Sequence, residues 1–498
     1  MPKEVSFSAE SHETLTLLKS LPIFKRFSDT DLLSIGKLML RFEYAEGEYV
    51  FHEGETGKEL FIVESGKLAH ERHHHTIFFY TEREVFGEES MFQGRHHQYS
   101  VKAVQPTTIY SISSDALTNG QGLPLEVYAN FYREVCDFMT VRSHEEEMIY
   151  REMDVLLVQD GGCAPGYNPV TAFLTEFLEQ AGRRVFIAKE GFKSLVSGQQ
   201  DDYRYLVYSM GLYKQLERIP GVIFSPPLRE ARGADFRTER YGDFKHDENI
   251  RKAAENLIQR KVKVLIGIGG NGTFKGIDRL SQLLPETVQT FFIPVTIDSD
   301  IIGTECIGQH TGVEVGAEKI RCYMADARTH HRCYIIELMG AAGGYHALHS
   351  CLGAGAHLAV LPQSNYDPVK LSQALKNRTS TVIVVAEGYK ADERKSKGYQ
   401  GNAAEYFRDQ LLAAGLQTRQ RVICEPFSRD VRGARPNNND ITLAQRMVCK
   451  LTELIKDKHN RMMPAVLSGR DYAIPFYEIR TENSVESNLA ELANRLGV

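Results

Sequence analysis

The stretch DVLLVQDGGCAPGYNPVTAFLTEFLEQAG, residues 154–182, decides the fold class of most of the chain. VLLVQ (155–159) is short for a helix and lacks polar alternation, so it predicts a strand buried on both faces. DGGCAPGYN then turns the chain through glycines. PVTAFLTEFLEQAG carries apolar residues at helical spacing and stops at Gly182. The same unit recurs outward from here, because RRVFIAK (183–189), KVLIGIGG (263–270), TFFIPVTID (290–298), CYIIELMG (333–340), HLAVLP (357–362) and TVIVVAEG (381–388) are short apolar runs ending in polar or glycine residues. This repetition predicts a doubly wound α/β unit with its site at the carboxyl ends of the strands.

The whole chain has 498 residues, 65 acidic and 59 basic side chains and a formal net charge of -6. At about 150 residues per domain, two to four domains are expected. No apolar run is long enough to cross a bilayer, and the first residues lack a secretory core. The eight cysteines are scattered without a CxxC pair, which favours reduced thiols and a cytoplasmic location. A mildly acidic chain excludes bulk nucleic-acid binding, and no membrane partner is expected.

The average hides a step. Residues 1–150 hold 14 Lys+Arg against 24 Asp+Glu, whereas the remainder holds 45 against 41. Nine of the 17 histidines lie in the first segment. We therefore expect two domains, 1–150 and 151–498, with different surfaces. The first opens with helical spacing near Leu15 to Leu18 and again from Asp31 to Leu40, with Ser28 and Asp29 as cap candidates. From Arg41 the glycines 47, 54, 57, 66, 87 and 94 punctuate short strands, predicting an all-β roll. Helical spacing returns after Pro124 and runs into Glu145–Glu147. His70, His73, His74, His75, His96 and His97 match no closed zinc pattern, and a solvated polar edge is the expected reading.

Backbone N–H groups approach a polyphosphate only where side chains are absent. Gly161-Gly162 with Gly166, and Gly269-Gly270 with Gly272, are therefore candidate anion cradles. The acids Asp298 and Asp300 stand at alternate positions of a strand end facing those loops, which marks them for chemistry.

With these residues in view, the chain from about 153 to 460 resembles the phosphofructokinase family, through GGCAPGYN, GGNGT, TIDSD with a following IGTE, RCYIIELMGAAGG and VAEG. The resemblance implies phosphoryl transfer from ATP, with Mg²⁺, to the primary hydroxyl of fructose 6-phosphate. It implies Asp298 as the proton acceptor, Asp300 in support of it or of the metal, and Thr296 binding the transferring phosphoryl or orienting the sugar. Nucleotide contacts would come from Gly161, Gly162, Gly166, Gly269, Gly270, Asn271, Gly272, Thr273 and Arg229. The sugar phosphate would meet Arg332, Met339, Gly340, Glu387, Arg421, Arg429 and Arg432, with Arg332 reaching across a subunit boundary, so a homodimer or homotetramer is implied. Metal contact falls to Asn271 and Asp300. Gly272 leaves room for ATP where pyrophosphate-using members carry a carboxylate.

Residues 15–145 resemble the cyclic nucleotide-binding domain, through YAEGEYVFHEGETGKELFIVESGKL (44–68), VFGEESMF (85–92) and SVKAV (100–104). That resemblance implies a regulatory cyclic nucleotide at Gly87, Glu88, Arg95 and His97. Here His97 stands where the family's phosphate-clamping arginine belongs, and a neutral imidazole offers one donor in place of a charged fork. A β-roll kept for packing or subunit contacts is the alternative.

The kinase half also departs from its family. Asn271 replaces the metal-associated acid, Ala341 the arginine of an expected MGR, and FSPPLR (224–229) aligns with GSxR through Arg229. EPFSRDVRGARP (425–436), with Arg421, Arg429, Arg432 and Arg435, replaces GHIQR. Each lost electrostatic contact costs a rate about 2.7–4 kcal/mol. Two alternatives therefore stand beside the kinase: a catalytically silent sensor or scaffold, and a kinase for another phosphorylated substrate.

Overall fold

The computed structural model describes residues 3–9, 11–72, 75–91, 96–97, 99–118, 123–208, 223–224, 227–427, 429–481 and 487–497. Arg95, His73, His74 and Pro226 lie outside these residues. Two units emerge, one of Met1–Arg151 with Ser209–Ser225 and the other of Glu152–Tyr208 with Pro226–Val498.

The first unit is an antiparallel roll with helices on one side. Its helices His12–Ser20 and Asp29–Gly36 start at Ser11 and Ser28, whose hydroxyls accept from the Thr14 and Asp31 N–H groups. One sheet runs in the order Lys3–Val5, Met39–Tyr44, Thr107–Ser113, Glu59–Ser65, Val85–Phe86. The other runs Tyr49–Phe51, Ser100–Ala103, Leu68–Arg72, His75–Tyr80. Strand alternation divides the apolar residues of Glu59–Ser65. Leu60 and Ile62 pack toward Leu18, Leu32, Phe131 and the other helical residues, while Phe61 and Val63 fill the roll with Phe51, Phe86 and Tyr99. A long helix, Leu125–Arg151, closes the unit.

The second unit holds two parallel-centred sheets. Across the larger, the order is Tyr203–Leu206, Val185–Ala188, Val155–Gln159, Val264–Gly269, Gln289–Pro294, Met462–Leu467, Arg470–Pro475. The inner pairs are parallel and the outer two antiparallel. Val155–Gln159 is buried at every position, as its unbroken apolar run requires. It pairs with Val185–Ala188 on one side and with Val264–Gly269 on the other. Winding therefore reverses at this strand, and the loops leaving it and its neighbour splay apart. A crevice at such a reversal is where open α/β sheets bind ligands.

The smaller sheet is wholly parallel, in the order Leu358–Val360, Thr381–Ala386, Arg332–Leu338, Arg421–Phe427. Its own reversal lies at Arg332–Leu338, between Thr381–Ala386 and Arg421–Phe427. Between the sheets in sequence runs the helix Gln309–His330, whose amino end is fixed by the fully buried Asp440. Its carboxylate accepts from Gly308 N at 2.8 Å, Thr311 N at 2.7 Å and Thr311 Oγ1 at 2.5 Å. Three donors offset part of the desolvation of this charge, and burial still holds the carboxyl above its ordinary value.

Candidate active site

A cavity of about 690 Å³ opens at the reversal in the larger sheet, lined by Asp160, Gly161 and Gly162 from one loop and Gly270 to Gly276 from the next. Thr296, Asp298, Asp300, Arg240 and Arg432 stand among the polar residues of its wall. The two glycine loops are stitched together through Asp160, whose carbonyl accepts from Tyr167 OH at 2.7 Å and Thr273 Oγ1 at 2.9 Å. The fit demands glycine, since a methyl on Gly269 would overlap that carbonyl. Gly270 caps the helix Asn271–Ser281 without any side-chain bond, and the first residues of that helix, Asn271 to Thr273, line the cavity.

The predicted glycines thus divide by role. Gly161, Gly162, Gly270 and Gly272 line the cavity. A side chain at Gly272 would meet nothing within 4 Å. Gly166 instead sits against Ile307 and Val295, where a methyl would come 2.6 Å from Ile307 Cγ2, so its freedom serves loop packing. Thr273 lines the cavity, but its buried hydroxyl is committed to the Asp160 carbonyl.

The acids do not stand on a strand. The strand ends at Pro294, and Thr296 to Asp300 form a turn in which Ser299 takes φ 51°. The Asp298 N–H donates to Thr296 Oγ1 at 3.1 Å, so Thr296 orders the turn. The turn is also held from outside, by Thr296 N on Ile307 O at 3.0 Å. A positive φ at a non-glycine residue between two cavity acids is backbone strain placed at a site.

Asp298 is pushed up to about 6, first by burial, against the pull of Arg432, and further by Asp300 and Glu387. Its Oδ1 is buried with no hydrogen-bond partner, 3.8 Å from Arg432 Nη2. Asp300 is also raised, chiefly by burial, while the Asn271 side chain and Lys275 favour its charge. Buried oxygens of Asp300 and Asn271 likewise lack partners. This oxygen-only pair suits Mg²⁺, which takes one or two carboxylate-type ligands and completes its shell with phosphate and water. Among the described residues no group of three His, Cys, Asp or Glu forms a metal cage.

Arg432 ties the two sheets to the acids. It donates to Cys163 O at 3.3 Å and reaches Met339 Sδ at 3.1 Å from the loop after Arg332–Leu338. Met339 thereby stands beside Arg432, although neither Met339 nor Gly340 is among the residues that line the cavity. Glu387, at the end of the neighbouring strand, accepts from Gly340 N at 3.2 Å and Ala341 N at 3.3 Å, and so braces that loop. Ala341 itself adopts φ 48° and brings no charge. His346, fully buried and lowered to about 4 by desolvation, contacts Met339 O at 3.2 Å from behind.

Other expected residues are placed elsewhere. Arg229 does not line the cavity; it pairs with Glu176 and Tyr208 and stacks 4.4 Å from the Phe173 ring. Arg240, eleven positions on, occupies the cavity wall instead, and a methyl at Gly162 would overlap its Nη2 and lie 2.6 Å from Arg432 Nη1. Nothing in the arginine-rich stretch around it marks Arg240 out by sequence. Asp160 was also missed, although an acid directly before a glycine pair at a strand end is a legible signal. Arg332 and Arg421 are register partners at the amino ends of the smaller sheet, opposite Met339, and Arg332 bonds Asp326 at 2.8 Å and Tyr334 at 2.9 Å. Arg429 is exposed on the short helix Arg429–Arg432.

In the roll, Gly87 has φ 85° and Glu88 is buried. The Gly87 N–H donates to Tyr99 OH at 3.3 Å. His97 is buried, with its pKa lowered by desolvation, and stacks 3.6 Å from Phe51. Tyr99 stacks 3.8 Å from His70. Of the expected ligand-facing positions, His97 is thus packed against one of the roll's own aromatic rings, and Arg95 lies outside the described residues.

Residues 154–455 match the Phosphofructokinase family, and residues 41–119 match the Cyclic nucleotide-binding domain family. An ATP-dependent 6-phosphofructokinase 1 of Clostridium perfringens is 27% identical over 349 residues, covering 69% of this chain and 98% of that protein. An ATP-dependent 6-phosphofructokinase of Staphylococcus epidermidis is 28% identical over 353 residues, covering 69% and 99%. Among solved structures, phosphofructokinase from Saccharomyces cerevisiae superposes with TM-score 0.54 at 20% identity, over 69% of this chain and 46% of that one. A pyrophosphate-dependent phosphofructokinase from Nitrosospira multiformis gives TM-score 0.54 at 19% identity, over 68% and 87%.

Proposed function

Because the chain belongs to the phosphofructokinase family over residues 154–455, we propose that it is an ATP-dependent kinase converting fructose 6-phosphate to fructose 1,6-bisphosphate. The observation that carries this is the convergence, in one cavity, of two glycine loops, a free helix amino end and the unpartnered oxygen of Asp298. Donor and acceptor chemistry need these at one point. The donor's phosphates would lie along Gly161-Gly162 and the first turn of Asn271–Ser281. ATP is favoured over pyrophosphate by the volume of the cavity, about 690 Å³, whose lining includes Phe192 and Phe244 beside the glycines, and by the open space at Gly272.

The sugar's primary hydroxyl would approach Asp298 Oδ1, which takes its proton as the oxygen attacks the terminal phosphorus. A carboxyl at about 6 is mostly ionised at neutral pH, yet basic enough to accept that proton. Arg432 and Arg240 supply fixed positive charge where the transferring phosphoryl oxygens gather. Asp300 and Asn271 would hold Mg²⁺, whose bound form neutralises phosphate charge. Met339 and Glu387 shape the sugar's side. Arg332 and Arg421 lie at the far end of the smaller sheet, which supports their use by a neighbouring subunit in a homodimer or homotetramer.

Loss of charge at Asn271 and Ala341 favours one second reading, a silent relative that binds nucleotide without turnover. ATP consumption by the purified protein with Mg²⁺ and fructose 6-phosphate, beside Asp298→Asn, separates them. Turnover abolished by the substitution supports the kinase. Nucleotide binding without turnover supports the silent relative, and turnover persisting in Asp298→Asn removes Asp298 as base. Among the described residues no helix is long and apolar enough to cross a membrane, in keeping with a cytoplasmic enzyme. For the roll, the packing of His97 and Tyr99 supports a structural role over cyclic-nucleotide regulation.

A further inference from the structure

Asp160 has no place in the mechanism above, yet it is among the most constrained side chains in the cavity. Its residue is 8% exposed, its Oδ1 is buried without a hydrogen-bond partner, and it lines the same cavity as the glycine cradle. Its backbone cannot swing away, being held by Tyr167 OH, Thr273 Oγ1 and its own N–H on Ile268 O at 3.1 Å. Nor can the carboxylate retreat, since behind it lies the turn at Gly191, where a methyl would come 3.0 Å from Oδ1. The charges facing it are the Arg240 guanidinium and the Gly161 N–H dipole. Those are two of the groups that the cradle would offer to a phosphate.

We propose that Asp160 is a specificity-determining residue of the donor site, a built-in anion that competes with nucleotide phosphate for Arg240 and the Gly161 N–H. This rests on the donor reading of the cavity. Above about pH 7, where this carboxyl is ionised, a polyphosphate entering there meets a like charge, so binding is weakest for the bare, fully charged nucleotide. A divalent cation travelling with the phosphates offsets the repulsion, and the site therefore selects the metal complex over free nucleotide. Burial already pushes the Asp160 carboxyl up to about 7, as expected of a charge held in a poor solvent. A phosphate brought beside it adds repulsion of the same sign.

The test is equilibrium binding of ATP at pH 8.5, where a carboxyl at about 7 is ionised, to the full-length protein and to Asp160→Asn, once with excess EDTA and once with Mg²⁺. Asparagine keeps the shape and removes the charge. Asp160→Ser, with a thermal unfolding curve for each variant, guards against a folding artefact. The expected result is ATP bound about tenfold or more tightly by both variants in EDTA, with a smaller gain in Mg²⁺. Equal or weaker binding in EDTA overturns the proposal while leaving the donor site intact. Weaker binding confined to Mg²⁺ overturns it in favour of a metal-ligand role. Absence of ATP binding in native protein and variants alike overturns both the proposal and the donor reading.

Discussion

Replacing Asp298 with asparagine should make the protein more stable and catalytically dead at once. The stability half follows from burial. Moving a carboxyl from an ordinary 3.8 to about 6 means that its charged form is disfavoured in the folded chain by about 3 kcal/mol. The folded protein binds the Asp298 proton more tightly than the unfolded chain does. The penalty is therefore complete above about pH 6, shrinks as the pH falls, and is absent below the unfolded value. Asparagine carries no charge but needs partners for its amide, so a net gain of about 1–3 kcal/mol is expected at pH 7.5, fading toward pH 4. Relief of repulsion from Asp300 and Glu387 acts in the same direction. Urea unfolding of native and Asp298→Asn protein across this range measures it, beside turnover, which should fall by at least about a hundredfold. A variant that is less stable at pH 7.5, or whose stability difference does not depend on pH, refutes the claim that Asp298 is a charge held at energetic cost. Retained turnover refutes its role as the base.

Other outcomes follow from single contacts. Arg432→Met removes the cation 3.8 Å from Asp298. An opposite charge at this range holds a carboxyl down by about 1–3 pH units, so the acid limb of the kcat/KM profile should move to higher pH by at least about one. Arg432→Lys should move it less, and an unmoved limb in Arg432→Met dismisses the pairing. Gly162→Ala pushes against both Arg240 and Arg432 and should raise the KM for nucleotide by about tenfold, whereas Gly272→Ala, with open space around it, should stay within about twofold. Equal effects would place the phosphates elsewhere. Restoring the acid with Asn271→Asp should lower the Mg²⁺ concentration for half-maximal activity; an unchanged requirement would take the metal away from the amino end of that helix. Calorimetric titration of the full chain with cyclic AMP or cyclic GMP should give no saturable heat, because His97 and Tyr99 already pack the roll. Saturable binding at micromolar levels would overturn that packing role.

Order along the chain was legible without coordinates wherever a local pattern governs the outcome. The buried run Val155–Gln159 pairs on both edges, as an apolar stretch without alternation must. The glycine loops fall at strand ends, and the roll begins where glycines punctuate short strands. Side-chain placement was less legible, because it depends on partners far away in sequence. Arg229 and Arg240 have similar sequence surroundings, yet Glu176 draws the first away and the Gly162 loop admits the second to the cavity. Asp298 and Asp300 face one cavity through a turn at Ser299, not through strand alternation.

By itself, then, the sequence determined a strand-loop-helix alternation, the glycine cradles, the acids and a roll of separate character, since periodicity and backbone freedom are properties of neighbouring residues. Only the tertiary structure decided which charges meet. Winding that reverses at Val155–Gln159 brings loops about a hundred residues apart together, and Arg432 reaches Asp298, Cys163 and Met339 from three separate segments. Coulomb energy depends on distance through space and on burial, and neither is written in the order of residues.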